Sequence, residues 1–162
     1  MTTIAFSDGV MAGDGRLSTD DGSIITDTYV KIRDCGGHIV GLTGTASVFE
    51  KVFKWFANGA NLDKMPEGDW EALVWNKNEG TLAIIEEGAD DYIFINPSEP
   101  HAIGSGAELA RIAMVCGKNP VDALNLIKAY NKDTGGAVIS VQCFKLEGKT
   151  VKRSSKSKAA TM

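Results

Sequence analysis

Between Val48 and Phe56 the apolar residues Val48, Phe49, Val52, Phe53 and Phe56 fall at helical spacing, and the stretch stops at Asn58-Gly59. This change of period divides the chain. Before it, short apolar runs are separated by turn residues. Thr2 to Phe6 and Val10 to Gly13 read as strands joined at Ser7-Asp8-Gly9. Residues 16–27, rich in Ser, Thr, Asp and Gly, read as a loop. Thr28 to Arg33 and His38 to Leu42 flank Gly36-Gly37 as a second hairpin.

After the helix and a loop over 59–69, three strands are expected around Leu73 to Trp75, Leu82 to Ile85 and Tyr92 to Ile95. Ser105 and Glu108 have capping-box spacing and open a helix carrying Leu109, Ile112, Ala113 and Cys116. Asn119-Pro120 opens another, with Leu124 and Ile127 inward. Past Gly135-Gly136 comes a strand, Ala137 to Leu146, expected to pair with Thr150 to Arg153. An α+β domain with two facing sheets between helical layers would bury all these faces. It would span residues 1–153, followed by a disordered basic tail over 154–162.

The formal charge of −4 hides an asymmetry, because six of the 17 basic residues lie between Lys145 and Lys158. The remaining body carries 11 basic and 20 acidic residues, which argues against nucleic acid as its main partner. No apolar run is long enough to span a bilayer, so no membrane role is expected. Cys35, Cys116 and Cys143 are odd in number and far apart, as in a reduced cytoplasmic protein. His38 and His101 stand alone, so zinc spacing is absent; no cofactor is expected for the chemistry, and a structural cation is left open. With two histidines, any general base is expected to be something else.

Thr2 offers one. Met1 precedes a residue small enough for methionine aminopeptidase to expose. An N-terminal threonine carries a hydroxyl nucleophile and an α-amine whose unperturbed pKa of about 8 suits it to take the hydroxyl proton.

Thr2-Thr3-Ile4, Gly13-Asp14-Gly15-Arg16, Lys31, Gly41-Leu42-Thr43-Gly44-Thr45 and Gly104-Ser105-Gly106 follow one another in that order. This arrangement resembles the proteasome β-subunit and HslV-type N-terminal-nucleophile (Ntn) hydrolases, the threonine peptidases, from Thr2 to about Leu146. The resemblance implies a four-layer αββα sandwich of two antiparallel sheets. It also implies Thr2 as nucleophile, Lys31 as the lysine that keeps the α-amine neutral, and Asp14 as its orienting acid. Gly44 matches the oxyanion-hole glycine. Ser105 matches a serine near the threonine amine, a role that competes with helix capping. Ser18 matches a position pairing with the substrate backbone, and Leu42 one near the specificity pocket, which implies an apolar preference.

In many relatives an Asp and a Ser stand three apart before two glycines. Here Asn131 and Thr134 fall at those positions in Asn131-Lys132-Asp133-Thr134-Gly135-Gly136. An amide carries no charge, so either that role is weakened or Asp133 takes it. The resemblance further implies a homo-oligomeric ring and a separate ring ATPase, since this chain has no P-loop. A ring scaffold without activity and a small-molecule amidase of the same superfamily are the competing readings; Thr2, Asp14 and Lys31 together favour the peptidase.

Overall fold

The structure is a computed structural model and describes residues 2–146. The first hairpin pairs β1 (Thr3–Ser7) with β2 (Val10–Gly13) in antiparallel register, Ile4 opposite Gly13. Asp8 and Gly9 make the turn, both with positive φ. The loop expected over 16–27 instead holds a small hairpin of β3 (Leu17–Ser18) and β4 (Ile24–Thr26), whose polar composition masked its strand character.

Five strands form the larger sheet: β5 (Ile32–Asp34), β6 (His38–Gly44), β7 (Trp70–Asn76), β8 (Thr81–Glu86) and β9 (Ile93–Ile95), in chain order. The strand expected from Thr28 begins only at Ile32 because the Tyr29 N–H leaves the sheet to donate to the Gly15 carbonyl. The smaller sheet has the order β10-β1-β2-β11, where β10 is His101–Gly104 and β11 is Ile139–Gln142. Strand β10 was not foreseen, since Pro97 and Pro100 crowd its start. β11 is shorter than the Ala137 to Leu146 reading and pairs with β2. Residues 150–153 and the tail over 154–162 lie outside the described residues.

Period-2 alternation distributes the cores. Ile4 and Phe6 of β1 meet Ile39, Leu73, Trp75 and Leu82 between the sheets. Val40, Leu42, Ala72 and Val74 point the other way, onto Phe49, Val52, Phe53 and Phe56 of α1 (Phe49–Ala57). Ala5 and Ala12 face α2 (Ala107–Val115) and α3 (Pro120–Ile127). The layers are therefore helix, sheet, sheet, helices. Each fully buried Phe or Leu here adds about 1.5–3 kcal/mol of transfer free energy.

Two features of α2 differ from expectation. Its buried side chains are Ala110, Ala113 and Met114, while Leu109, Ile112 and Cys116 are exposed. Small residues let the helix sit close on the alanine-lined sheet, and the larger ones turn outward. The capping box does not form, and Gly106 stands at the N-cap with no side-chain cap. Ser105 N donates to the Thr2 carbonyl and Gly106 N to Thr3 Oγ1, so both residues serve β1. At α3 the reading holds: Asn119 Oδ1 accepts from Asp122 N, with Pro120 at the first turn.

Candidate active site

The β1–β2 register carries Asp14, the residue after β2, up to Thr3, the residue after Thr2. Thr3 N donates to Asp14 Oδ1 at 3.0 Å, and Oδ2 accepts from Gly135 N at 3.0 Å and Arg16 N at 3.3 Å. Lys31 completes the set. Its Nζ donates to Asp14 Oδ1 at 3.2 Å and to the Arg16 carbonyl at 2.6 Å. Both side chains are sealed from solvent. A buried ion pair is tolerated when further hydrogen bonds satisfy both charges, and Asp14 has three backbone donors besides the lysine. Burial still pushes the Lys31 ammonium below the ordinary lysine value, with Asp14 pulling the other way.

The backbone explains how a lysine reaches this depth. Tyr29 N bonds Gly15 O on one side of Lys31, and the Lys31 carbonyl accepts from Leu42 N on the other. The segment is thus pinned between the Asp14–Arg16 turn and β6. Arg16 is fixed in turn, its Nε donating to Asp27 Oδ1 at 2.8 Å.

Thr2 is 2% exposed and opens onto a polar cleft of about 470 Å³ that Ser18, Gly44 and Asp133 also line. Gly44 ends β6 at φ +119°, and a Cβ there would run into the Asp69 carbonyl. Gly104 is under the same constraint, because a Cβ would fall on the Thr2 carbonyl oxygen. Gly104 lets β10 close on Thr2, and Gly44 lets the end of β6 close on Asp69 and Trp70 at the start of β7. Leu42, by contrast, is fully buried against α1 and is absent from the cleft lining.

A second network lies behind Thr3. Gly106 N donates to Thr3 Oγ1, which meets Thr134 Oγ1 at 2.8 Å, and Thr134 Oγ1 donates to Asn131 Oδ1 at 3.2 Å. That order makes the Thr3 hydroxyl the donor to Thr134. Asn131 Nδ2 reaches the Ser105 carbonyl at 3.3 Å, and Asn131 Oδ1 also accepts from Asp133 N. Asn131 therefore ties its loop to β1 through neutral bonds, while the nearby carboxylate in the cleft is that of Asp133. Ser105 Oγ is buried without a hydrogen-bond partner among the described residues. Its own N–H holds the Thr2 carbonyl at 2.9 Å, so the free hydroxyl belongs to a residue bonded directly to Thr2.

Sequence reasoning did not assign roles to Thr3, whose hydroxyl is the centre of this network, or to Asp27. The arginine of Gly13-Asp14-Gly15-Arg16 was in view, but its contribution is a backbone carbonyl, which no side-chain pattern reveals.

No protein-family model and no curated protein matches the chain. Solved structures do. An epoxomicin complex of Thiobacillus denitrificans BPH superimposes with a TM-score of 0.62 at 18% identity, covering 86% of this chain and 96% of that one. Eukaryotic HslV from Trypanosoma brucei gives a TM-score of 0.63 at 13% identity, covering 86% and 97%. With two antiparallel sheets packed between helical layers and these neighbours, the chain has the α+β αββα fold of the HslV and proteasome-type Ntn hydrolases.

Proposed function

We propose that this chain is an N-terminal threonine peptidase of the proteasome and HslV type, cleaving peptide bonds with Thr2 after removal of Met1. The observation that carries this reading is the sharing of one carboxylate oxygen. Asp14 Oδ1 accepts from the backbone beside Thr2 and from the buried Lys31 ammonium.

Thr2 Oγ attacks the scissile carbonyl, and the neutral α-amine accepts its proton, directly or through a water. The Lys31 ammonium disfavours a second positive charge nearby, which keeps the amine basic, and it stabilises the alkoxide. Asp14 orients Lys31. The Gly44 N–H faces the developing oxyanion. Ser105 Oγ, left without a partner, supplies a hydrogen-bond site for the α-amine. Thr134 and Asn131 brace β1, and Asp133 provides the negative charge that the Asn131 amide lacks. Ser18 takes the substrate backbone. The chemistry draws on side chains, the α-amine and the Gly44 backbone N–H, and requires no cofactor.

The enzyme works in the cytoplasm as a homo-oligomeric ring that confines proteolysis, with a separate ring ATPase feeding it unfolded protein. Among the described residues no helix is long and apolar enough to cross a membrane.

Peptide epoxyketones carrying either a basic or an aliphatic side chain test the reading directly, since such a probe needs hydroxyl and amine on one residue. Intact-mass analysis should show Met1 lost and one inhibitor added, on Thr2. A protein lacking Met1 that takes up no inhibitor would oppose the assignment.

A further inference from the structure

The charge around the Thr2 cleft is lopsided. Asp20, Asp21, Asp69 and Asp133 line it, against Arg16 and Lys132. Arg16 is already committed, its guanidinium donating to both carboxylate oxygens of Asp27 at 2.8 and 3.3 Å. Among the described residues no lysine or arginine forms an ion pair with any of the four cleft aspartates. Lys132 alone offsets them.

The acids come from three separate segments, with Asp133 beside Lys132 in the connection after α3. Asp20 and Asp21 sit in the connection between β3 and β4, after Ser18. Asp69 precedes β7, and its carbonyl accepts from Thr45 N, beside Gly44. The cleft that Thr2 lines therefore draws negative charge from the β3–β4 connection and from the residue hydrogen-bonded beside Gly44. The hydroxyl of Thr19 and the N–H of Ser23 hold the Asp21 carboxyl below the usual carboxylate range, so it stays ionised. A concave site lined by one sign of charge focuses the field and draws in the opposite sign. The lining is mixed, with Leu17 and Ala46 among the polar groups. A lysine or arginine side chain suits this mixture, with its methylenes laid along Leu17 and Ala46 and its charge among the carboxylates. An aliphatic side chain would desolvate those carboxylates without pairing them, and an acidic one would be repelled.

We infer that the cleft takes a lysine or arginine side chain of the peptide, at the residue flanking the bond that Thr2 attacks, with Asp20, Asp21 and Asp69 setting the preference. The inference rests on the peptidase reading for the bond that is cut, but not for the binding of the side chain.

The experiment has two arms. In the first, processed protein digests an unfolded protein and the new termini are read by mass spectrometry, for wild type and for a triple variant Asp20→Asn, Asp21→Asn, Asp69→Asn. In wild type, cleavage beside Lys or Arg should exceed cleavage beside Leu, and the triple variant should lower that ratio roughly tenfold, the size of one charge-assisted contact. In the second arm, Thr2→Ala protein binds fluorescein-labelled peptides of one sequence carrying Lys, Leu or Glu at a single position. The Lys peptide should bind most tightly, and the preference should fade in the triple variant and at high salt. Cleavage with no basic preference, or a preference that survives the triple variant, overturns the inference and leaves the peptidase standing. An inert wild type whose Thr2→Ala form still prefers the Lys peptide removes the peptidase and supports the inference. Equal binding of the Lys and Leu peptides overturns it regardless of activity.

Discussion

Lys31 Nζ and Asp14 Oδ1 stand 3.2 Å apart with neither side chain exposed to solvent. The two partners are not equivalent. Asp14 also accepts from three backbone N–H groups, whereas among the described residues Lys31 donates to Asp14 and the Arg16 carbonyl alone. Lys31→Met keeps the volume and leaves Asp14 with its backbone donors. Asp14→Asn leaves a buried ammonium without its counter-charge and turns an amide N–H₂ toward one of those donors. Asp14→Asn should therefore cost about 3–5 kcal/mol and Lys31→Met clearly less. Urea melts of both variants measure the order, and the reverse order would sink this account of the pair.

The direction of the Lys31 shift has a consequence for pH. Burial lowers its pKa in the folded protein below the 10.5 of a free lysine, so the native state gives up this proton first. Between the folded value and 10.5 the unfolded chain binds more protons, and stability gains from this group as pH rises through that window. Activity moves oppositely, because the proposed work of Lys31 needs the ammonium. The alkaline limb of peptide cleavage should fall below pH 10.5, while the wild-type melting temperature gains on that of Lys31→Met over the same range. An alkaline limb that stays flat to pH 10.5 would separate Lys31 from catalysis. Loss of cleavage in Lys31→Ala with the ring intact by light scattering is the companion result.

The sheets were legible because β1, β6, β7 and β8 alternate or run apolar between clear turn residues, and Ile4, Leu73 and Leu82 mark their inward faces. The α2 face was misread because local periodicity favours the largest side chains. Packing against Ala5 and Ala12 favours the smallest, here Ala110 and Ala113. At the site, Thr2, Asp14, Lys31 and Gly44 could be found as residues at ordered positions. What sequence could not supply was the backbone's share: the Arg16 carbonyl on Lys31, the Gly135 N–H on Asp14, and the Thr2 carbonyl held by Ser105 N. These bonds depend on where the chain passes and not on which side chain it carries. Leu42 shows the converse, a matched position whose side chain faces α1.

Glu71 and Glu86 lie directly opposite each other on β7 and β8. Burial first, and Glu86 second, raise the Glu71 carboxyl above its ordinary value. A raised carboxyl pKa means that the native state disfavours the charge, so the stability of the protonated form is lost as pH rises through the folded value. Glu71→Gln should raise stability at pH 7 by a few tenths to about 1 kcal/mol, the range for cross-strand pairs. The gain should vanish below about pH 4, where the carboxyl is protonated in both states. Thermal melts at the two pH values decide it, and an equal effect at both would show that charge is not the cause.

The three thiols should react in a fixed order. Cys116 is exposed, Cys35 is buried, and burial pushes the Cys143 thiol up to about 12. Thiolate is the reactive form, so iodoacetamide at pH 8 should label Cys116 first and leave Cys143 and Cys35 until the protein unfolds. Peptide mapping over time gives the order. Cys143 labelling as fast as Cys116 in folded protein would mean that β2 and β11 separate readily near Met11 and Val141.

The decisive prediction joins the Thr2 hydroxyl to its amine. The proposed mechanism needs both on one residue, so the two must fail separately. Thr2→Ala removes the nucleophile but still permits Met1 removal, and should be folded, assembled and inactive. Thr2→Ser keeps a hydroxyl and should keep partial activity. Blocking Met1 removal leaves the hydroxyl but converts the amine to an amide without basicity, and should abolish cleavage as fully as Thr2→Ala does. The measurement is hydrolysis of fluorogenic peptides, with intact mass confirming the terminus of each preparation. Host proteases are excluded by carrying Thr2→Ala through the same purification. Because Thr2 stands just before β1 and is held by its backbone carbonyl on Ser105 N, none of these side-chain changes touches the bonds that build the fold. Melting temperatures should stay within a few degrees of wild type. Equal hydrolysis by Thr2→Ala and wild type would end the threonine assignment. If every preparation is inert even with a ring ATPase supplied, a ring scaffold without activity takes its place.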